Sequence, residues 1–150
     1  MAYWLFKTEP DTFSIDTLRT QKTTCWEGVR NYQARNMLRD KVRVGDEVLI
    51  YHSSCQRIGV AGIGHVVKAA YPDHFSWDIS SDYYDSKSSP ENPRWFMVDI
   101  EFSRKLSRVI PLSELKAHPS LQAMPLVQRG NRLSIMPVTD EEYHAIISCE

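Results

Sequence analysis

Residues 59–71, GVAGIGHVVKAAY, place Gly59, Gly62 and Gly64 inside a run of small and β-branched residues. Such a run reads as a strand, and glycine within a strand marks strong bending or close approach of another backbone. A sheet that contains it is bent. The stretch RWFMVDIEF (94–102) offers it a neighbour. Phe96, Val98, Ile100 and Phe102 alternate there with Trp95, Met97, Asp99 and Glu101, the pattern of a half-buried antiparallel strand. YWLFKT (3–8), EVLIYHS (47–53, fed by the turn RVGDEV) and RLSIMPV (132–138) read as further short strands.

Helical signals are brief and lie between or after these strands. In FSIDTLRTQ, Ser14 can cap a helix that buries Ile15 and Leu18. PLSELKAHP is a short helix stopped by Pro119, and TDEEYHAIIS has Thr139 and Glu142 in capping-box spacing. The acidic, aromatic segment 72–93 reads as an extended loop with room for one partial strand. No repeat, linker or low-complexity tract interrupts the chain. Short, bent, mostly antiparallel strands with peripheral helices predict an α+β fold built on a small open β-barrel. At 150 residues, positions 1–150 are expected to form one domain and a monomer.

Charge and cysteine usage narrow the class. The chain is 42% hydrophobic and 25% charged, ordinary for a globular domain. It has no apolar run of about 18 residues that would span a membrane, so no membrane partner is expected. Its N-terminus lacks the basic and apolar regions of a secretory signal. Cys25, Cys55 and Cys149 form no zinc or redox pattern and suit a reducing cytosol, which predicts a cytoplasmic protein without metal or cofactor. Net charge is −1, yet the charges are segregated. Arg30, Arg35, Arg39, Lys41 and Arg43 form one basic cluster, Arg104, Lys105 and Arg108 a second, and Arg129 and Arg132 a third. The acids gather between Asp73 and Glu101. A chain of nearly zero net charge can still present a basic side to nucleic acid, although helix surfaces also carry Lys and Arg for solubility alone.

The stretch TCWEGVRNYQARNMLRD (24–40) holds the strongest site signal. On a helical wheel Ala34, Met37 and Leu38 share an inward face. Arg30 extends the same face, with Asn31 at its edge. A guanidinium on the core side is paired or lines a pocket. Trp26 lies between polar neighbours in an irregular segment, as Trp77 does, and Gly28 lets the chain turn tightly between Trp26 and Arg30. An aromatic ring can stack on a planar heterocycle while polar groups read its edge. Trp26, Arg30 and Asn31, with Lys7 and Ser53 at strand ends, therefore predict a pocket. A Trp26 that plugs the barrel end as core, and an Arg30 that is salt-bridged, are the competing structural roles. The other chemical signals are weak. Cys25 and Cys55 sit in no nucleophile motif with His52 or His65, the five histidines lack ligand spacing, and GVAGIG lacks the helix and Lys-Ser/Thr of a phosphate loop.

YWLFKTEP, WEGVRNYQARN, VGDEVLIYHS, GVAGIGHVV, YYD, NPRWFMVDIEF and RLSIMPVTDEEY together resemble the EVE-domain family. The match runs from about residue 3 to 143, and WEGVRNYQARN is its most specific element. The resemblance implies a PUA-like barrel related to the YTH, ASCH and SRA folds, and a non-catalytic module that binds nucleic acid carrying a methylated or hydroxymethylated base, DNA ahead of RNA. By position, it implies a base pocket of Trp26, Arg30, Asn31, Lys7, Thr8 and Ser53, with Tyr84 and Asp85 on the opposite wall. The basic clusters, including Arg35, Arg39, Arg129 and Arg132, would contact phosphates. Two rival functions stand beside this one. In a small ASCH-like enzyme acting on a modified nucleobase or nucleoside, Lys7 would be the reacting amine or base, with Thr8 or Asp85 its partner. In a protein-interaction module the acidic 73–101 surface would be the contact.

Overall fold

In the computed structural model, which describes residues Met1–Glu150, six strands make one sheet. They are β1 (Tyr3–Thr8), β2 (Thr23–Cys25), β3 (Glu47–His52), β4 (Gly59–Pro72), β5 (Phe96–Pro111) and β6 (Ile135–Val138). Their order is β2-β5-β4-β3-β1-β6. All pairings are antiparallel except β1 with β3. The helices are α1 (Ile15–Gln21), α2 (Tyr32–Asp40), α3 (Leu112–Ala117) and α4 (Asp140–Ser148).

The central strands are buried on both faces, so they read as nearly continuous apolar runs. Trp4, Phe6, Val48 and Ile50 point to one side, where Ile15 and Leu18 of α1 and Ala34 and Leu38 of α2 cover them. Leu5, Leu49 and Tyr51 point to the other, beneath Leu115 of α3 and Ile146 of α4. Helix α2 packs against β4, β5 and also β6, which stands at the far end of the strand order from β2 and β5. The sheet therefore curls round that helix while its edge strands stay unpaired with each other, giving the open, barrel-like α+β architecture.

Irregularities along β4 are shared between its glycines and its glycine-free end. Register between β4 and β5 shifts at four places, among them Val60/Gly62 and Ile63/Gly64. A Cβ at Gly62 would sit 2.3 Å from Ile15 Cδ1, and one at Gly59 would sit 2.0 Å from the Ile110 carbonyl oxygen. The expected close backbone approach is real at Gly59. Gly59→Ala should cost at least about 1–3 kcal/mol, because the obstacle is backbone and cannot rotate away. An unchanged melting temperature would contradict this packing.

Several local signals act as expected. Ser14 accepts from the Thr17 N–H at the start of α1, and Thr139 and Glu142 form the reciprocal capping box of α4. Others need correction. β5 continues through SRKLSRVIP, well past the alternating stretch, and the three-residue β2 was not anticipated. Segment 72–93 holds a 3-10 turn at His74–Trp77 and no strand of its own beyond Pro72. Helix α2 begins at Tyr32, so Arg30 lies before it and the wheel does not apply to that residue. No helix is long and apolar enough to cross a membrane.

Candidate functional site

The link from β2 to α2 builds the site. The Trp26 N–H donates to the Val98 carbonyl at 2.7 Å, prolonging the β2–β5 ladder by one residue. The indole packs against Phe6 (centroids 5.4 Å apart) and edge-on to Phe13 (5.8 Å). The chain then turns at Gly28, whose φ is +83°. A Cβ there would lie 2.7 Å from the Tyr83 ring, so glycine answers both a left-handed backbone and a close contact. Asp73 pins the turn. Its fully buried carboxylate accepts from the Gly28 N–H (3.0 Å), the Phe75 N–H (3.0 Å) and Arg30 Nη1 (3.0 Å).

Beside this turn opens a cavity of about 520 Å³, a volume typical of small-ligand pockets. Trp26 and Phe13 give it aromatic surface. Lys7 and Thr8 from the end of β1 and Ser53 from the end of β3 give it polar groups, Tyr83 and Glu27 add walls, and Ser134 and Arg132 enter from the segment before β6. Residues flanking both open edges of the curled sheet thus meet at one mouth. Burial lowers the Lys7 ammonium below its ordinary value. Burial raises the Glu27 carboxyl, the Asp73 charge raises it further, and His74 and Arg30 oppose the shift.

Trp26, Lys7, Thr8 and Ser53 are brought together as expected; the other four pocket residues are not. Arg30 spends its guanidinium on Asp73, on the Val29 carbonyl and twice on the Tyr83 carbonyl (Nε 3.1 Å, Nη2 2.7 Å). It does not line the cavity, and the salt-bridged account of Arg30 is the one the geometry bears out. Asn31 caps α2, its Oδ1 accepting from the Ala34 N–H at 3.0 Å. Tyr84 is exposed and it is Tyr83 that faces the cavity. Asp85 accepts from Trp95 Nε1 at 2.7 Å and pairs with Arg94, a bracing role away from the mouth. Trp95 itself is buried beneath Tyr32 of α2, the rings stacked at 4.9 Å.

Among the expected phosphate contacts, Arg132 stands at the cavity mouth and Arg129 is exposed three residues before it. Arg35 lies 4.8 Å over the Tyr32 ring and donates to the Arg94 carbonyl. Arg39 is tied to Asp40 at 2.8 Å, which leaves it a weaker claim on an anion. Glu27, Phe13 and Tyr83 were not anticipated. Glu27 sits inside the WEGVRN motif and Tyr83 opens the YYD motif, so both positions carry a sequence signal; Phe13 reaches the cavity only through tertiary folding. The histidine and cysteine nearest to a catalytic reading are otherwise engaged. His52 Nε2 accepts the Ile15 N–H at 3.1 Å and so caps α1. Burial, then Glu27 and Asp99, keep the Cys25 thiol protonated, a poor nucleophile.

Comparison with known proteins agrees with this architecture. The EVE domain model matches residues 2–149. Human thymocyte nuclear protein 1 is 45% identical over 99% of this chain and 74% of its own length. A Pseudomonas syringae protein of known structure superposes with a TM-score of 0.96 at 49% identity, over 99% of both chains. The crystal structure of the human THYN1 protein in complex with 5-methylcytosine-containing DNA superposes with a TM-score of 0.94 at 43% identity, over 99% of this chain and 97% of that one. An ASCH protein from Zymomonas mobilis shares the fold at a TM-score of 0.55 and 10% identity. Matched from end to end in sequence and in backbone, this chain belongs to the EVE domain family.

Proposed function

We propose that this chain is a non-catalytic reader of a methylated base in DNA, 5-methylcytosine first among them, which it takes into the cavity beside Trp26. The observation that carries the reading is the relative crystallised with 5-methylcytosine-containing DNA, whose fold this chain shares over 99% of its length. The cavity's chemistry is consistent with it. A base drawn out of the stack needs a π-surface worth about 1–3 kcal/mol, and Trp26 and Phe13 are aromatic surface at hand. It also needs hydrogen bonds on its pairing edge, and Lys7, Thr8, Ser53 and Glu27 carry polar groups there. A 5-methyl group on an apolar wall adds about 1 kcal/mol, or several-fold in affinity.

The test is a binding series with short DNA duplexes that differ only in one central cytosine: plain, 5-methylated or 5-hydroxymethylated, with RNA counterparts. A several-fold preference for a modified DNA is expected. Affinity should fall as salt rises, and replacing Arg35 and Arg132 with Ala should flatten that slope by about one to two phosphate contacts while weakening all sequences alike. Equal affinity for every duplex, or none, would refute the reading. Incubated nucleosides should return unaltered in mass. Turnover abolished by Lys7→Arg would instead make the site an enzyme's.

A further inference from the structure

Of all the buried side-chain nitrogen and oxygen atoms in this protein, one lacks a hydrogen-bond partner, and it is Glu27 Oε2. Buried polar groups are nearly always satisfied, so an exception asks for a cause. Glu27 lines the cavity, and the backbone N–H groups on either side of it and the nearby guanidinium are already committed. The Trp26 N–H goes to Val98, the Gly28 N–H to Asp73, and the Arg30 guanidinium to Asp73, Val29 and Tyr83. Lys7, in the same cavity, engages no carboxylate. The cavity is thus lined by two acids, Glu27 and Glu9, and two cations, Lys7 and Arg132, none of them in an ion pair, and of the two acids Glu27 is the one with a buried, unpartnered oxygen.

Resting on the nucleobase reading above, we infer that Glu27 determines base identity, accepting the exocyclic amino group of a cytosine-type base and rejecting thymine. The need for such a residue follows from the chemistry of the bases. Thymine carries the same 5-methyl group on a ring of the same size and stacking surface. A pocket that selected by methyl contact and stacking alone would fill with thymine, which DNA holds in abundance. The two bases differ along the pairing edge. 5-Methylcytosine offers an amino donor at position 4 and an acceptor at N3, and thymine offers a keto acceptor and an N–H. A carboxylate only accepts, and Asp or Glu accepting from the cytosine amino group is an established pairing. Set against thymine O4 it places acceptor on acceptor. Lys7, which only donates, complements the O2 carbonyl or N3 of the same cytosine. Glu27 Oε2 is closed off from solvent and without a partner in the free protein, so a turn of the carboxylate into the cavity, onto the amino group of the right base, relieves a cost that the wrong base leaves in place.

The experiment uses duplexes with 5-methylcytosine, cytosine or thymine opposite an abasic site, so that no base has a pairing partner to give up. Wild type should bind 5-methylcytosine at least about ten-fold more tightly than thymine, and several-fold more tightly than cytosine. Glu27→Gln can turn its amide NH₂ toward O4, and should bring thymine to within about three-fold of 5-methylcytosine while the preference over cytosine persists. Glu27→Asp keeps the acid but withdraws it, so it should weaken 5-methylcytosine binding yet still reject thymine. Melting temperatures of the free proteins serve as the folding check. Glu27→Gln should melt at or above wild type, since it removes the charge from a partly buried group whose Oε2 has no partner. A 5-methylcytosine-to-thymine ratio unchanged by Glu27→Gln would overturn the inference, as would a lowered melting temperature, which would give Glu27 a structural role. If wild type does not separate 5-methylcytosine from cytosine, the nucleobase reading fails instead, whatever Glu27 does.

Discussion

Arg30→Met is expected to lower the melting temperature by about 5–15 °C while leaving base preference in the folded protein intact. Asp73 is fully buried and Arg30 supplies its only cationic partner, at 3.0 Å. Breaking a buried pair by removing one member strands the other charge, at about 3–5 kcal/mol. The Gly28 and Phe75 N–H groups still donate to Asp73, and the Arg30 side chain is 22% exposed, so about 2–4 kcal/mol is the better expectation. In a chain of this length each kcal/mol moves the melting point by about 2–4 °C. Arg30→Lys should recover little. A single ammonium cannot replace a fork that bridges Asp73 and the Tyr83 carbonyl at once. Loss of modified-base preference with an unshifted melting point would return Arg30 to the pocket.

The contrast between Arg30 and Lys7 shows what the sequence could reveal. Lys7, Thr8 and Ser53 lie at the ends of strands, where period-two patterning and the family motifs placed them correctly. The helical wheel misplaces Arg30 because the helical period does not extend back past Asn31, the N-cap of α2. Asn31 is a strong capping type, and reading it as the N-cap would have put Arg30 outside the helix. Even then its partner was hidden. Asp73 lies 43 positions away, inside an acidic stretch that looks merely solvated in one dimension. The adjacent pair Tyr83 and Tyr84 poses a similar problem. Which ring faces the cavity is decided by Gly28, more than 50 residues earlier in the chain, whose missing Cβ admits Tyr83. Local capping, strand alternation and close-approach glycines are encoded near where they act. The cavity is made by the meeting of distant segments, and its charge balance emerges only when each acid has been matched to its base.

Trp26 carries the other large effect, because it is both core and cavity wall. It is only 7% exposed and wedged between Phe6 and Phe13. Trp26→Ala should therefore cost about 3–5 kcal/mol of stability as well as binding. That variant alone would not separate the two roles, so two gentler substitutions are needed. Trp26→Leu restores much of the apolar volume but no π-face. Trp26→Phe restores a smaller π-face. If the indole replaces the stacking that an extruded base gives up, Trp26→Leu should bind plain and methylated duplexes about 10–100-fold more weakly, measured well below its melting point. The ratio between the duplexes should hardly move, since stacking is indifferent to the 5-methyl and to the edge groups that Lys7 and Glu27 would meet. Trp26→Phe should keep most of the affinity at a similar loss of stability. Should Trp26→Leu bind as tightly as wild type, the indole would be a plug for the open end of the curled sheet, and Phe13 or Tyr83 would have to be the surface on which the base lies.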